Sequence, residues 1–524
     1  MVKCVLQMQP GNKVIANTLI LYVKILVTTC VGLLTTRYVL EALGIDDYGL
    51  YNLIAGIIAM LSFFNAAMSA ATQRFLSFAF GKKDLIELRK IFHYSIILHI
   101  VVSILIIILI EIGGRYLIMN ILSISESKID VAINVLHWIS VSTFFSILAV
   151  PYIAILTSRE NMFLLSLIDI IEAVLKLGIA IILLFLVAHK LILYASLIAS
   201  VMCVSLLIKI GVCYKKYPET HISLKSVHDK DLLKRITRFT GWSLIGSVSS
   251  IARGQGIAVI LNIFYGVVIN AAYGIANQVN GLLSFFSAAI MQSIRPQIIK
   301  SEGAQDRPRM LKLSLIACRY MFFLCALFSI PLIIEMPYIL NLWLKEVPEY
   351  TIVFCRLILF ITLLSMLTQG LSVSIEATGK IKWLQVIVGT LHVINFPIGY
   401  WLLKIGYPPQ SVLICILSEE AVCLLLRVII AHKITNLRVR DFITKVLIRS
   451  VAIFTIAFGI GYFTAHAVHD ESFMRLLLTT GSSSGSFILC GWFLGTEREE
   501  RRRIGDIIHK FKLRSMQWGG LKIR

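Results

Sequence analysis

Apolar stretches dominate the chain and are separated by short polar segments. They lie near 14–36, 48–70, 91–112, 131–157, 163–187, 191–213, 240–264, 274–294, 311–335, 351–373, 381–403, 410–434, 449–468 and 474–494. Each is about the 20 residues that a helix needs to cross a bilayer, so the pattern predicts about fourteen spans joined by short loops. The eighth is unlike the rest, being rich in Asn, Gln, Ser and Gly. The first run is too long for the apolar core of a signal peptide and has no small-residue cleavage site, so it reads as a retained helix.

The polar separators alternate in charge. Segments on the side that holds both termini carry 36 Lys and Arg, the opposite side 7, and the spans themselves the remaining 7 of 50. The positive-inside rule then places both termini in the cytoplasm. Topology also accounts for the net charge of +21, which in a soluble chain would suggest nucleic acid. No nucleic-acid partner is expected, and the basic tail with Arg501, Arg502 and Arg503 reads as a topology signal with some attraction to anionic lipid.

Composition sharpens this. The chain of 524 residues is 58% apolar and 15% charged, with a mean hydropathy of +0.84. Soluble domains run nearer 45–50% and about 25%, which excludes a soluble enzyme with one anchor. The ten Cys fall mostly inside apolar runs without a Cys-x-x-Cys pair, as small buried hydrophobes rather than ligands or disulfides. No outer loop exceeds about 20 residues, and no nucleotide, zinc-hydrolase or serine-hydrolase motif occurs. The chain reads as a transporter rather than an enzyme, with no cofactor and no metal.

An internal repeat gives the architecture. Tyr48-Gly49, Asn52 and Gly56 match Tyr273-Gly274, Asn277 and Gly281 at an offset of 225. After a three-residue gap, Ser62-Phe63-Phe64, Ala66-Ala67, Gly81 and Asp84 match Ser284-Phe285-Phe286, Ala288-Ala289, Gly303 and Asp306 at 222. Both copies run in the same direction, which implies two parallel six-helix halves related by an axis along the membrane normal. The expected organisation is an N-terminal lobe at 1–213, an inter-lobe loop at 214–239, a C-terminal lobe at 240–434, two additional spans at 435–494 and a basic tail at 495–524.

Charged residues inside spans cost about 2.5–3.5 kcal/mol each on insertion scales and need a reason. Lys24 and Arg253 lie deep in the first span of each half, either as a cationic patch for an anionic head group or as partners of buried carboxylates. Asp169, Glu172 and Lys176 share one face of the fifth span, with Glu172 and Lys176 able to pair. Glu419 and Glu420 lie mid-span in the twelfth, where Glu420 shares a face with Arg427. These four carboxylates are the candidates for ion coupling. Arg319, Arg356 and Arg427 are expected to snorkel. Asn262, Asn270, Asn277, Gln278, Asn280 and Gln292 either glue helices or line a hydrated path, and the repeat match to Asn52 favours packing for Asn277. Arg253-Gly254-Gln255-Gly256 would let the seventh span bend at a binding site. Lys24, Arg253, Gln255, Asn262, Asn277 and Gln278 are the candidate substrate-binding residues.

Several stretches resemble a known family: LGIDDYGLYNLIAGI (43–57), ATQRF (71–75), VPYIAILTSRENM (150–162), LNIFYGVVINAAYGIANQV (261–279), RPQI (295–298), LWLKEVPEY (342–350) and EATGK (376–380). In this order they resemble the bacterial polysaccharide or O-antigen (Wzx-type) flippases of the multidrug/oligosaccharidyl-lipid/polysaccharide (MOP) exporter superfamily, over about residues 10–434. The resemblance implies an all-α, V-shaped, MATE-like transporter of the bacterial cytoplasmic (inner) membrane with two extra C-terminal helices. It implies a cargo of undecaprenyl-diphosphate-linked oligosaccharide for surface polysaccharide or lipopolysaccharide synthesis, with membrane lipids and other polysaccharide-assembly membrane proteins as partners. It also implies essential basic residues on the first helix of each lobe, where Lys24 and Arg253 occupy comparable but not repeat-matched places. The alternatives are a cation-coupled multidrug antiporter of the same superfamily, a peptidoglycan-precursor flippase, and a membrane-embedded glycan polymerase or ligase.

Overall fold

A computed structural model describes residues 10–501 apart from 60, 121, 123, 187–188, 222–228, 345, 469 and 498–499. Among the described residues the regular structure is helical throughout. The first half begins with a helical stretch Pro10–Ala59 broken at Gly44, giving α1 (10–43) and α2 (45–59). It continues through α3 (Ser62–Lys82), α4 (Leu85–Leu109, running on to Asn120), α5 (Glu126–Ser158), α6 (Met162–Leu184) and α7 (Lys190–Lys216).

The second half opens the same way. Lys230–Gly303 is broken at Gly266 into α8 (230–265) and α9 (267–303). Then follow α10 (Arg307–Ile334), the short α11 (Met336–Trp343), α12 (Thr351–Met366), α13 (Gln369–Thr378), α14 (Lys382–Lys404) and α15 (Gln410–Thr435). A terminal hairpin consists of α16 (Val439–Ala467) and α17 (Phe473–Cys490).

Among the described residues, eight helices are long and apolar enough to cross a membrane, and the α12–α13 pair, bent by 41°, makes up a ninth such unit. The α2–α3 pair, α6, α9, α15 and α17 pack alongside them. Their polar content is what sets them apart: α6 carries Asp169, Glu172 and Lys176, and α15 carries Glu419, Glu420 and Arg427. Large side chains such as Leu33, Ile112 and Phe463 are exposed at 70% or more, as lipid-facing positions are. The chain is a multi-pass membrane protein.

Several helices outrun the apolar stretches that predicted them. The expected loop 71–90 is helical to Lys82 and again from Leu85; the expected loop 295–312 is helical to Gly303 and again from Arg307. Asp84 and Asp306, a repeat pair, explain the restarts. The Asp84 carboxylate accepts hydrogen bonds from the Ile86 and Glu87 amides, and that of Asp306 from the Arg309 amide, capping the exposed N–H groups of α4 and α10. The expected loop 214–239 is likewise helical at both ends.

Gly44 and Gly266 hold φ of 78° and 72° with ψ of 171° and −161°, a region that essentially only glycine occupies. Their separation is again 222, so the repeat includes its kink. The Gly254–Gly256 segment, expected to bend, is instead continuous helix, and Gly256 lies against the Phe396 ring. A missing Cβ serves close packing there, not distortion.

The halves meet at the end of the molecule that carries the basic segments. There α3 and α9 cross with reciprocal contacts: a Cβ on Gly81 would lie 2.1 Å from the Lys300 carbonyl oxygen, and one on Gly303 2.1 Å from that of Phe78. Thr18 and Ser293 hydroxyls are 2.7 Å apart, and the Tyr22 hydroxyl donates to the Phe286 carbonyl. Arg74 on α3 donates to the carbonyls of Glu376 and Ala377 at the end of α13. In the mirrored contact, Lys300 and Gln297 on α9 reach Glu160 in the α5–α6 turn, at 2.5 and 3.3 Å. Toward the other end the described cores stay within one half, around Ile54, Ile110 and Leu136 in the first and Phe354 and Leu403 in the second. The molecule is a V closed at its basic end.

The terminal hairpin packs on α10. Glu335, fully buried at its end, accepts from Arg475 and Thr479 at 2.9 Å each. Arg319, expected to snorkel, is 2% exposed and paired with Glu500 beyond α17. Packing of the hairpin removes its path to water, so a carboxylate takes the place of solvent.

Candidate functional site

The charged residues singled out from the sequence gather into two clusters, one per half, each between the first, fifth and sixth helices of its half. In the first, Lys24 Nζ on α1 lies 2.6 Å from Asp169 on α6. One turn on, Glu172 accepts from Lys176 (2.9 Å) and from Ser205 Oγ on α7 (2.7 Å). Lys209, in turn, donates to Ser205 and stands 3.7 Å from Glu172. A groove of about 380 Å³ lined by Lys24, Thr28, Thr35, Asp169, Glu172 and Lys176 gives access to this cluster. Lys24 and Asp169 side chains are 21% and 25% exposed, so the pair is reachable from the groove.

In the second cluster Arg253 on α8 meets Glu420 at 3.2 Å, Glu419 at 3.5 Å and the His392 ring at 3.3 Å. Arg427 holds the other face of Glu420 at 2.6 Å and reaches Thr368. Glu419 also accepts from Asn395 and lies 2.5 Å from His392 Nδ1. Arg427 is therefore a buried ion-pair partner, not a snorkelling residue, because its helix face points into the half. Arg356 donates to the Ile333 carbonyl at the end of α10, a helix-terminus contact.

The two clusters differ in charge. The first holds three ammonium groups against two carboxylates; the second holds two guanidinium groups against two carboxylates, with His392 between them. His392, Glu419 and Cys423 place an imidazole, a carboxylate and a thiol within 4.8 Å of one another. A cation there would lie beside the Arg253 guanidinium, and Glu419 already accepts from Asn395, so the donor set does not fit a metal.

Gln255, Asn262, Asn277 and Gln278 have exposed side chains and take no part in the Arg253 ion pairs with Glu419 and Glu420. Asn277 borders a cavity of about 280 Å³ with Ser250, Arg253, Tyr273 and Thr362. It is thus accessible rather than packed between helices, whereas Asn280 does join helices, accepting from Thr362 at 2.6 Å. Sequence reasoning missed Lys209, Ser205, His392 and Asn395. Lys209 carried a legible signal, a charge inside an apolar run. His392 and Asn395 reach Glu419 through the packing of α14 against α15, which local sequence does not report.

The sequence model of the MatE family matches residues 21–182. No curated protein matches the chain. Among solved structures, that of a MATE point mutant superposes with a TM-score of 0.72 over 82% of this chain and 97% of its own, at 15% identity. A multidrug resistance MATE family transporter of the MOP superfamily, described in an outward-facing conformation, gives 0.71 at 14%, over 82% and 97%. A MOP superfamily transporter from Pyrococcus furiosus, described as having a binding pocket of reversed polarity, gives 0.69 at 13%, over 84% and 98%. The chain has the MATE transporter fold, with the two terminal helices α16 and α17 added to its paired halves.

Proposed function

We propose that the protein is an alternating-access exporter that moves an anionic, undecaprenyl-diphosphate-linked oligosaccharide from the cytoplasmic to the outer face of a bacterial cytoplasmic membrane, for surface polysaccharide synthesis. The observation that carries this is the excess of positive charge in the first-half cluster, three lysines to two carboxylates, inside helices that otherwise exclude charge. A diphosphate passing through hydrocarbon needs such partners. The charge asymmetry orients the basic end to the cytoplasm, so the V faces outward. Gln255, Asn262, Asn277 and Gln278 supply hydrogen-bonding groups suited to sugars. Asp169, released from Lys24 when the diphosphate takes its place, and Glu172, Glu419 and Glu420 in the two clusters are the groups available for coupling to a cation gradient.

The pairing of Lys24 dictates the test. Removing one partner of this half-buried pair strands the other charge among apolar helices, so a single substitution confounds folding with function. The double variant Lys24→Gln/Asp169→Asn removes both charges. Lipid-linked oligosaccharide exposed at the outer face is measured in cells lacking the gene and carrying either protein at equal level. At least a tenfold loss of export with the double variant is expected. Wild-type export by that variant would make the pair structural and discard the site. Normal export in the deletion strain, with loss of resistance to cationic drugs, would move the assignment to the second reading, a multidrug antiporter, which the partly exposed Asp169 favours.

A further inference from the structure

Among the described residues, a basic cavity outside both clusters carries a larger excess of positive side chains than either of them. At the basic end, a cavity of about 660 Å³ opens on the seam between the halves, within the range of small-ligand sites. Six of its lining residues are Lys or Arg and one, Glu87, is acidic. The first half contributes Arg74 and Lys82 from α3. The second contributes Arg235 and Arg238 from α8, Lys380 from the α13–α14 turn and Lys382 from the start of α14.

Local pairing does not cancel this excess. Glu87 is shared between Lys82 at 3.2 Å and Arg235 at 4.0 Å. Arg74 spends its hydrogen bonds on neutral carbonyls, under a cover of Phe75, Phe78 and Phe239 rings. Lys382 stands over Trp242 and Trp383, aromatic side chains of the kind that gather at membrane–water interfaces. Like charges from both halves thus line the joint that closes the V.

We infer that this pocket binds a phosphate- or diphosphate-bearing anion, and that the bound anion holds the two halves together at the basic end. Arginine guanidinium groups suit phosphate oxygens bidentately, and the lysines add point charge. Because its walls come from both halves, the site is complete only while they are joined. A ligand that binds one state favours that state. The inference rests on the cytoplasmic orientation proposed above, but not on the identity of the cargo.

Inorganic pyrophosphate is titrated calorimetrically into the full-length protein in phosphatidylcholine nanodiscs, with the unfolding midpoint followed in parallel. Saturable binding with a raised midpoint is expected. Arg238→Gln/Lys382→Gln, both exposed positions, should weaken binding at least tenfold. Arg440→Gln, an exposed arginine of the same end outside the cavity, should change it less than twofold. Absence of saturable binding, or equal weakening by Arg440→Gln, would overturn the site. Binding without a raised midpoint would overturn the clamp. Repeating the titration with phosphatidylglycerol or a polyprenyl diphosphate in the nanodisc identifies the source: competition by either supports a lipid head group, and unchanged affinity supports a soluble anion.

Discussion

At the residue scale, Glu160 shows how one side chain can join two halves. It sits in the α5–α6 turn at a φ of 57°, uncommon for a residue with a Cβ, and is 7% exposed. Lys13 approaches from its own half and Lys300 from the other. Burial alone would raise its carboxyl pKa, but the Lys300 and Lys13 ammonium groups and the Lys300 and Gln297 hydrogen bonds outweigh burial and hold it below its usual value. A depressed carboxylate stabilises above its unfolded pKa, about 4.3, and loses that contribution as pH falls through the folded value. Glu160→Gln should therefore lower the unfolding midpoint by an amount constant from pH 5 to 8. The gap from the wild type should close below about pH 4, as thermal unfolding across pH would reveal. A gap that changes between pH 6 and 8 would mean that another group carries the joint.

At the scale of elements, glycine has two roles that local sequence does not separate. Gly266 breaks a long helix through a backbone conformation closed to other residues; Gly254 lies in regular helix with nothing within 4 Å of an added Cβ. Gly266→Ala should destabilise by about 1–3 kcal/mol, and Gly254→Ala should be neutral or stabilise by up to about 1 kcal/mol. Unfolding midpoints of the two variants moving together would contradict this division. The repeat pairs Asp84 with Asp306 and Gly81 with Gly303 were legible in the sequence because each serves a local need, a cap or a close approach. The pair Gly44 and Gly266 went unread because a three-residue shift separates it from the neighbouring Tyr-Gly match, and only the backbone angles align it.

For the whole molecule, closure at one end and divergence at the other correspond to one of the two states of the alternating-access cycle proposed above. Thr18 and Ser293 touch across the closed end. With cysteines at both positions, oxidation should lock this state and stop transport, and reduction should restore it. Full transport by the oxidised, crosslinked protein would show that the seam does not open during the cycle. The ion clusters do not bridge the halves. Each lies inside one half, so movement of the lobes can change access to Lys24 or Arg253 while leaving the pairs themselves intact.

Hydropathy and charge alternation determined a polytopic helical protein, because span length and loop charge are imposed by the bilayer and do not depend on what packs against what; the repeated Tyr-Gly, Asn and Ser-Phe-Phe residues added the two parallel halves. They also located Lys24, Arg253 and the four carboxylates, since a charge in hydrocarbon stands out wherever it points. Tertiary structure decided the pairing of those charges. Lys24 with Asp169 spans two helices far apart in the chain, and Arg253 reaches the adjacent Glu419 and Glu420 by a helix contact that no spacing rule encodes. The seam pocket was equally hidden. Its basic residues were counted as loop charge, and the folding of α3, α8 and the α13–α14 turn onto one joint brought them together. Periodicity reports the environment of each helix, whereas a site is made where several helices meet.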